Sequence, residues 1–243
     1  FLPRFQPIEV LKPFLIIILA TIFCDIKSNI LFKYLISIFL VSVISFLLIA
    51  QPDIGQTLLV VFCWATLIFT SGINIYILLA LFVVGAFLLA YLIIYVPRFD
   101  YIQGRIFSFF NRETGTHNFQ SDKAIESITS GGFFGKGIGE GVLKNRVPEA
   151  HTDYIISVIS EEFGVVAIML ILLLFLILIY MVFKKISFET NDKAKLILIG
   201  SISLILMQAT IHIGVNIRLF PTTGMTLPFL SCLLYTSPSP RDT

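Results

Sequence analysis

Residues 148–164 read PEAHTDYIISVISEEFG, a polar, charge-dense loop that turns into an apolar run long enough to cross a bilayer. The change of character falls at Thr152-Asp153. Either side-chain oxygen can accept the unpaired N–H groups of a first helical turn, so a helix is predicted to start here. At ~100° per residue, Asp153, Ser157, Ser160, Glu161 and Gly164 fall within one narrow sector, so a carboxylate heads a polar stripe running into apolar surroundings. A lone Asp before an apolar run most often only caps a helix. The rest of the chain argues for more.

With 57% hydrophobic and 13% charged residues and a mean hydropathy of +0.95, a soluble domain of 243 residues could not hide its apolar surface, so the class is all-α integral membrane. A formal charge of +2 and the lack of a long basic run give no footing for nucleic acid. Cys24 and Cys63 lie in apolar runs and Cys232 in an aberrant tail, which indicates neither a disulfide framework nor a metal site. The opening FLPRFQPIEVLKP carries neither an initiator Met nor a signal peptide, and the chain is expected to be a fragment of a longer protein.

Apolar runs near the ~20 residues that span a bilayer recur six times, at about 8–24, 30–50, 54–70, 75–96, 155–183 and 196–217. Pro13 falls near the start of the first, where a missing N–H does least harm. Short connections such as Ser71-Gly72-Ile73-Asn74 make neighbouring runs antiparallel, giving a polytopic helical bundle. Lys184, Lys185, Lys193 and Lys195 crowd the last connection, while Lys27 and Lys33 mark the first, so that face is expected to be cytoplasmic. Residues 97–152 then form a long extracytoplasmic loop. Its seven Lys and Arg are matched by seven acidic residues through Asp153, and long loops follow the charge rule weakly.

A connection of that length is usually functional. It holds Arg98, Arg105 and Arg112, a short amphipathic helix predicted over Gln120 to Ser130, and then GGFFGKGIGEG at residues 131–141. The glycine run is not a nucleotide loop, since it follows no strand and lacks Lys followed by Ser or Thr. Its glycines instead let backbone approach a ligand or the membrane closely, with N–H groups open to an anion. Elsewhere, Glu9 and Lys12 share a helix face at i and i+3 and can pair with each other or with a ligand. Asp53 stands where it can cap the third run. Ser201, Gln208, His212 and Asn216 fall near one stripe of the sixth, and each alone reads as structural glue facing a bundle interior. His212 has no Cys or carboxylate at ligand spacing, so no metal site is expected.

The order QPIE with Lys12, QPDIG at 51–55, SGGFFGKGIGEG, PEAHTD…EEFG and NIRLFPTTGMTLPFLS resembles the SEDS family of shape, elongation, division and sporulation proteins, from Phe5 to Ser231. Thr226-Leu227-Pro228 after Gly224 is similar to its division-type members, since elongation-type members more often place Pro where Thr226 stands. The resemblance implies a ten-span bundle of which residues 1–231 carry the fourth to ninth spans. Residues 232–243, CLLYTSPSPRDT, replace the family's Tyr-Gly-Gly-Ser-Ser and read as a translated sequencing adapter. Pro13 and Ser160 are smaller departures.

The family is one of peptidoglycan glycosyltransferases, and the resemblance implies polymerisation of lipid II, a disaccharide-peptide on undecaprenyl pyrophosphate. The 4-hydroxyl of one N-acetylglucosamine attacks the anomeric carbon of the next N-acetylmuramic acid and expels the lipid pyrophosphate. A sugar hydroxyl is weakly acidic, so a positioned base matters most. Asp153 matches the family's essential aspartate, and partial desolvation at the membrane edge is expected to raise its proton affinity above that of an ordinary carboxylate. Candidate substrate-binding groups are Glu9, Lys12, Asp53, Arg105, Gln120, Lys136, Lys144, Arg146, Glu149, His151 and Thr152, with the cations Arg105, Lys136, Lys144 and Arg146 available to the pyrophosphate. Glu149, His151 and Thr152 are expected to hold the Asp153 loop. The resemblance leaves a divalent cation open, makes a class B penicillin-binding protein transpeptidase and other division proteins the partners, and places the protein in the bacterial cytoplasmic membrane at the septum. A lipid II flippase and a non-catalytic division scaffold are the rival readings. Lacking the remaining spans, this chain is not expected to be active alone.

Overall fold

The computed structural model describes residues 7–24, 29–51, 53–96, 99–100, 103–104, 109, 116–142 and 153–230. Its main helices are α1 (Pro7–Cys24), α2 (Ile30–Ala50), α3 (Ile54–Thr70), α4 (Ile75–Tyr95), α5 (Thr116–Gly131), α6 (Ile155–Phe188) and α7 (Asp192–Asn216). All six apolar runs are helical, and the amphipathic helix predicted from Gln120 is α5, starting four residues earlier. Both ends of the α6–α7 connection are more helical than expected, because apolarity marks where lipid ends and not where a helix must. Lys184, Lys185 and the Asp192 turn simply continue it. By length and apolarity α1, α2, α6 and α7 can each cross a membrane, and α3, at 17 residues, is about 26 Å long at the usual rise. The tail 232–243 lies outside the described residues.

The chain divides into two compact units, residues 1–7, 111–178 and 208–243 in one and residues 8–110 and 179–207 in the other. In the second unit, Leu15, Ile16 and Leu19 of α1 pack with Val60, Trp64, Leu67 and Ile68 of α3 in a core joined by Val41, Leu48 and Leu196. Small and polar residues tie the helices closely, as in membrane bundles where apolar burial alone gives little drive to associate. A Cβ on Gly200 would lie 2.8 Å from Ile16 Cγ2. Thr66 and Ser203 hydroxyls meet at 3.0 Å, and Trp64 Nε1 donates to Ser37 Oγ at 3.3 Å.

One charged network sits in this unit. Pro13 lies inside α1 rather than in its first turn, so the Glu9 carbonyl loses its regular helical donor. Beside it Lys12, 1% exposed, donates its ammonium to Glu9 Oε1 at 2.7 Å. Gln56 Nε2 donates to the same carboxylate oxygen at 3.3 Å. Asp53 caps α3 by accepting the Gln56 N–H at 3.0 Å.

The first unit has a different device. Its α6 is interrupted at Gly164, where φ is 76° and ψ −175°. In a continuous helix the Val165 and Val166 N–H groups would bond the Glu161 and Glu162 carbonyls. Here they donate instead to Gly132 O at 3.0 Å and Phe133 O at 3.4 Å. The Glu161 and Glu162 carbonyls accept the N–H groups of Lys136 at 2.9 Å and Gly137 at 3.1 Å. Two helical bonds are thus exchanged for four to the glycine-rich loop. Contact is too close for side chains: a Cβ on Gly164 would meet Phe133 O at 2.2 Å, and one on Gly135 would meet Glu162 O at 2.2 Å. The loop N–H groups of Gly135, Lys136 and Gly137 are therefore occupied by carbonyls, and the sequence-based expectation of an open anion cradle is corrected at these three positions.

Two stability predictions follow from these contacts. Glu9→Gln removes the carboxylate charge that the buried Lys12 ammonium pairs with and should lower unfolding stability by about 3 kcal/mol, whereas Lys12→Met, which removes the buried charge itself, should be closer to neutral. Gly164→Ala combines a positive φ with a backbone clash and should lower stability by about 2–3 kcal/mol. Gly85→Ala, in open space on α4, should leave it unchanged. Thermal unfolding of the purified variants in one detergent reads both.

Candidate functional site around Asp153

Tyr154 and Ile156 are buried at the head of α6, and Ile156 packs with Ala209 and Leu227. This apolar contact brings the start of α6, the end of α7 and the chain beyond α7 together. Asp153 precedes the helix, which begins at Ile155. The stripe predicted below it is buried: Ser157 0%, Ser160 1% and Glu161 2% exposed.

Asn216 binds this corner together. Fully buried near the end of α7, it donates Nδ2–H to the Asp153 carbonyl at 3.0 Å and to the His212 carbonyl at 2.9 Å. Its Oδ1 accepts the Ser157 hydroxyl at 2.7 Å and the Ser157 N–H at 3.3 Å. Both donors and both lone-pair directions of the amide are used, so the carboxamide has a single orientation and the Asp153 backbone is held by it.

The next turns of the same stripe fix the chain after α7. The His212 ring Nδ1 donates to Met225 O at 2.7 Å, and Gln208 Nε2 donates to Thr226 O at 3.0 Å. A carbonyl can only accept, which sets the His212 tautomer. Gln208, His212 and Asn216 thus act as the glue expected of them. They lay Gly224 beside the Asp153 carboxylate: a Cβ there would lie 3.6 Å from Asp153 Oδ2. Gly224 has φ 62° and no side chain to set against the half-buried carboxylate.

Lys136 reaches the same helix. Its ammonium donates to Glu161 Oε1 at 3.0 Å, and the Glu161 side chain is 3% exposed against 37% for Lys136. One of three ammonium donors is spent on Glu161. Glu161 lies eight residues after Asp153, about 12 Å along a helix. Arg218, with φ 59°, ends the α7 stripe and pairs with Asp122 of α5.

Of the sequence-predicted site residues, Asp153, Lys136 and Gln120 belong to the first unit and Glu9, Lys12 and Asp53 to the second. Gln120 is half-buried in α5 and makes none of the contacts that assemble the Asp153 corner. Glu9 and Lys12 are bound to each other, and Asp53 serves as a helix cap. Arg105, Lys144, Arg146, Glu149, His151 and Thr152 lie outside the described residues. Among the described residues no group of three or more His, Cys, Asp and Glu is placed to hold a metal ion. Sequence reasoning read Asn216 as glue but did not show that it closes on the Asp153 carbonyl, and it missed Gly224 beside the carboxylate, whose only signal was a glycine in a motif.

Comparison with known proteins identifies the family. The family model for cell cycle proteins of the FtsW/RodA/SpoVE type matches residues 2–232. The chain is 35% identical over 229 residues to the "Probable peptidoglycan glycosyltransferase FtsW" of Caulobacter vibrioides, covering 93% of this chain and 57% of that protein. It is 32% identical over 241 residues to the protein of the same description from Enterococcus hirae, covering 94% and 60% respectively. The chain therefore spans somewhat under two thirds of the length of these relatives.

Among solved structures, it aligns with a chain from work on the "Structural coordination of polymerization and crosslinking by a peptidoglycan synthase complex", at TM-score 0.69 and 25% identity over 93% of this chain and 64% of that one. A mutant of the rod shape determining protein RodA of Thermus thermophilus aligns at TM-score 0.61 and 26% identity, over 93% of this chain and 59% of that one. Helical membrane bundle, ordered motifs and matched length converge: the chain belongs to the FtsW/RodA/SpoVE family of cell cycle proteins, the SEDS family.

Proposed function

We propose that the protein is a peptidoglycan glycosyltransferase that polymerises lipid II during septal wall synthesis, with Asp153 as general base. Support comes from relatives described as peptidoglycan glycosyltransferases and from one observation in particular. Asp153 stands at the head of a membrane helix with its backbone carbonyl held by Asn216 and with Gly224 beside its carboxylate. A base works when it is held within hydrogen-bond reach of the proton it removes, and this corner supplies such fixation.

In the proposed reaction the acceptor's 4-hydroxyl oxygen bonds to the donor's anomeric carbon while the bond from that carbon to the pyrophosphate oxygen breaks. The hydroxyl proton passes to Asp153, and undecaprenyl pyrophosphate leaves with the bonding electrons. Lys136, anchored by Glu161 and keeping two ammonium donors, is a candidate to meet the developing negative charge. Arg105, Lys144 and Arg146 are further candidates, with Glu149, His151 and Thr152 as supports of the Asp153 loop. The Asp153 side is assigned to the extracytoplasmic face of the cytoplasmic membrane on the distribution of Lys in the short connections. A class B penicillin-binding protein is the proposed transpeptidase partner, since one structural neighbour comes from a synthase complex that couples polymerisation to crosslinking.

The test uses the full-length protein with its transpeptidase partner, reconstituted with labelled lipid II. Asp153→Asn should reduce glycan strand formation by about 100-fold or more, with thermal stability and lipid II binding retained. Polymer formed at the parental rate by Asp153→Asn would defeat the assignment of the base. Lipid II translocation that survives the substitution, with no polymer made by the parent, would favour a flippase.

A further inference from the structure

We propose that the glycine-rich loop dips into the bilayer, so that Phe133, Phe134 and Ile138 lie among the acyl chains of the leaflet on the Asp153 side. These three side chains are 74%, 86% and 81% exposed, and all are apolar. A cluster of two Phe and one Ile at a loop tip is unfavourable in water and marks a surface that another apolar phase covers.

The level of the tip follows from its backbone bonds. Phe133 O accepts the Val166 N–H, and Gly132 O the Val165 N–H. Val165 and Val166 belong to a helix apolar and long enough to cross a membrane, and they lie about 15 Å along it from Ile155. The loop is therefore held beside the hydrocarbon-spanning part of α6. Phe163, Val166, Met169 and Leu170 on that helix are 44%, 51%, 65% and 57% exposed, and the Val166 backbone is bonded to the tip at Phe133 O. Bilayer acyl chains are the occupant that fits both, since a membrane helix presents such a surface to lipid.

Irregular backbone tolerates this depth only when its polar groups are satisfied by protein. That condition is met where the loop touches α6: the N–H groups of Gly135, Lys136 and Gly137 all have carbonyl partners. The one cation in the tip, Lys136, has its charge matched by Glu161. The loop thus sets the depth of α6, and with it the height of Asp153 relative to the membrane surface, whatever reaction Asp153 serves.

Tryptophan at the tip reads the environment directly. The sequence has a single Trp, and Trp64 is 7% exposed, so its emission can be subtracted. Phe134→Trp and, separately, Ile138→Trp would be placed in nanodiscs of phosphatidylcholine with or without brominated acyl chains and titrated with iodide. The proposal expects the added emission to be blue-shifted, to lose most of its intensity in brominated lipid and to resist iodide. Iodide quenching at both positions would put the loop in water and overturn it. Protection from both quenchers would show a protein surface over the tip and also overturn it. Relief of bromolipid quenching by stoichiometric undecaprenyl phosphate would reassign the surface to a polyprenyl ligand. Using two positions guards against one variant that misfolds.

Discussion

A helix inside a bilayer has no water to turn to, so every backbone bond it gives up has to be replaced by protein. At Gly164 this replacement is supplied by a single loop, through two N–H groups accepted and two donated. The loop and the helix are consequently one unit of structure. The glycines of that loop are needed for closeness of approach, since carbonyl oxygens occupy the places where side-chain carbons would stand at Gly135 and Gly164.

The same economy governs the head of the helix. Asn216, His212 and Gln208 recur at one-turn intervals along α7, and each hands its polar atoms to backbone outside α7: the Asp153 carbonyl, Met225 and Thr226. Polar groups in a membrane are expensive when unpaired and orienting when paired. Here they convert a flexible return segment into a wall beside Asp153. The resulting corner is held by three hydrogen bonds to backbone carbonyls, with Gly224 beside the carboxylate.

Two nearly buried charges are each covered by an opposite one. Lys12 is covered by Glu9, with Gln56 adding a third group, and Glu161 is covered by Lys136. In each pair one partner is nearly fully buried and the other partly open, so the open partner can meet ligand or solvent without leaving an isolated charge behind. The two pairs lie in different compact units, and each is intelligible within its own.

Much of this was legible in the amino-acid order alone. Apolar runs of bilayer length located the six long helices, because lipid imposes a minimum length that the sequence must show. The motif around Asp153 and the spaced motifs before and after it identified the family, because the residue types that chemistry requires keep their order along the chain. The buried face of α6 could be counted off from helical periodicity, and the Glu9–Lys12 pair from a spacing of three. What the sequence could not show was which backbone groups would meet. The break at Gly164, the loss of the open glycine cradle and the closure of Asn216 on Asp153 depend on residues from 25 to 63 positions apart reaching one another. Hydrogen bonds to carbonyl oxygens leave no mark in side-chain type. Composition and periodicity therefore settled the membrane class and the helices, while the packing of loop against helix decided what the glycines and the polar stripe are for.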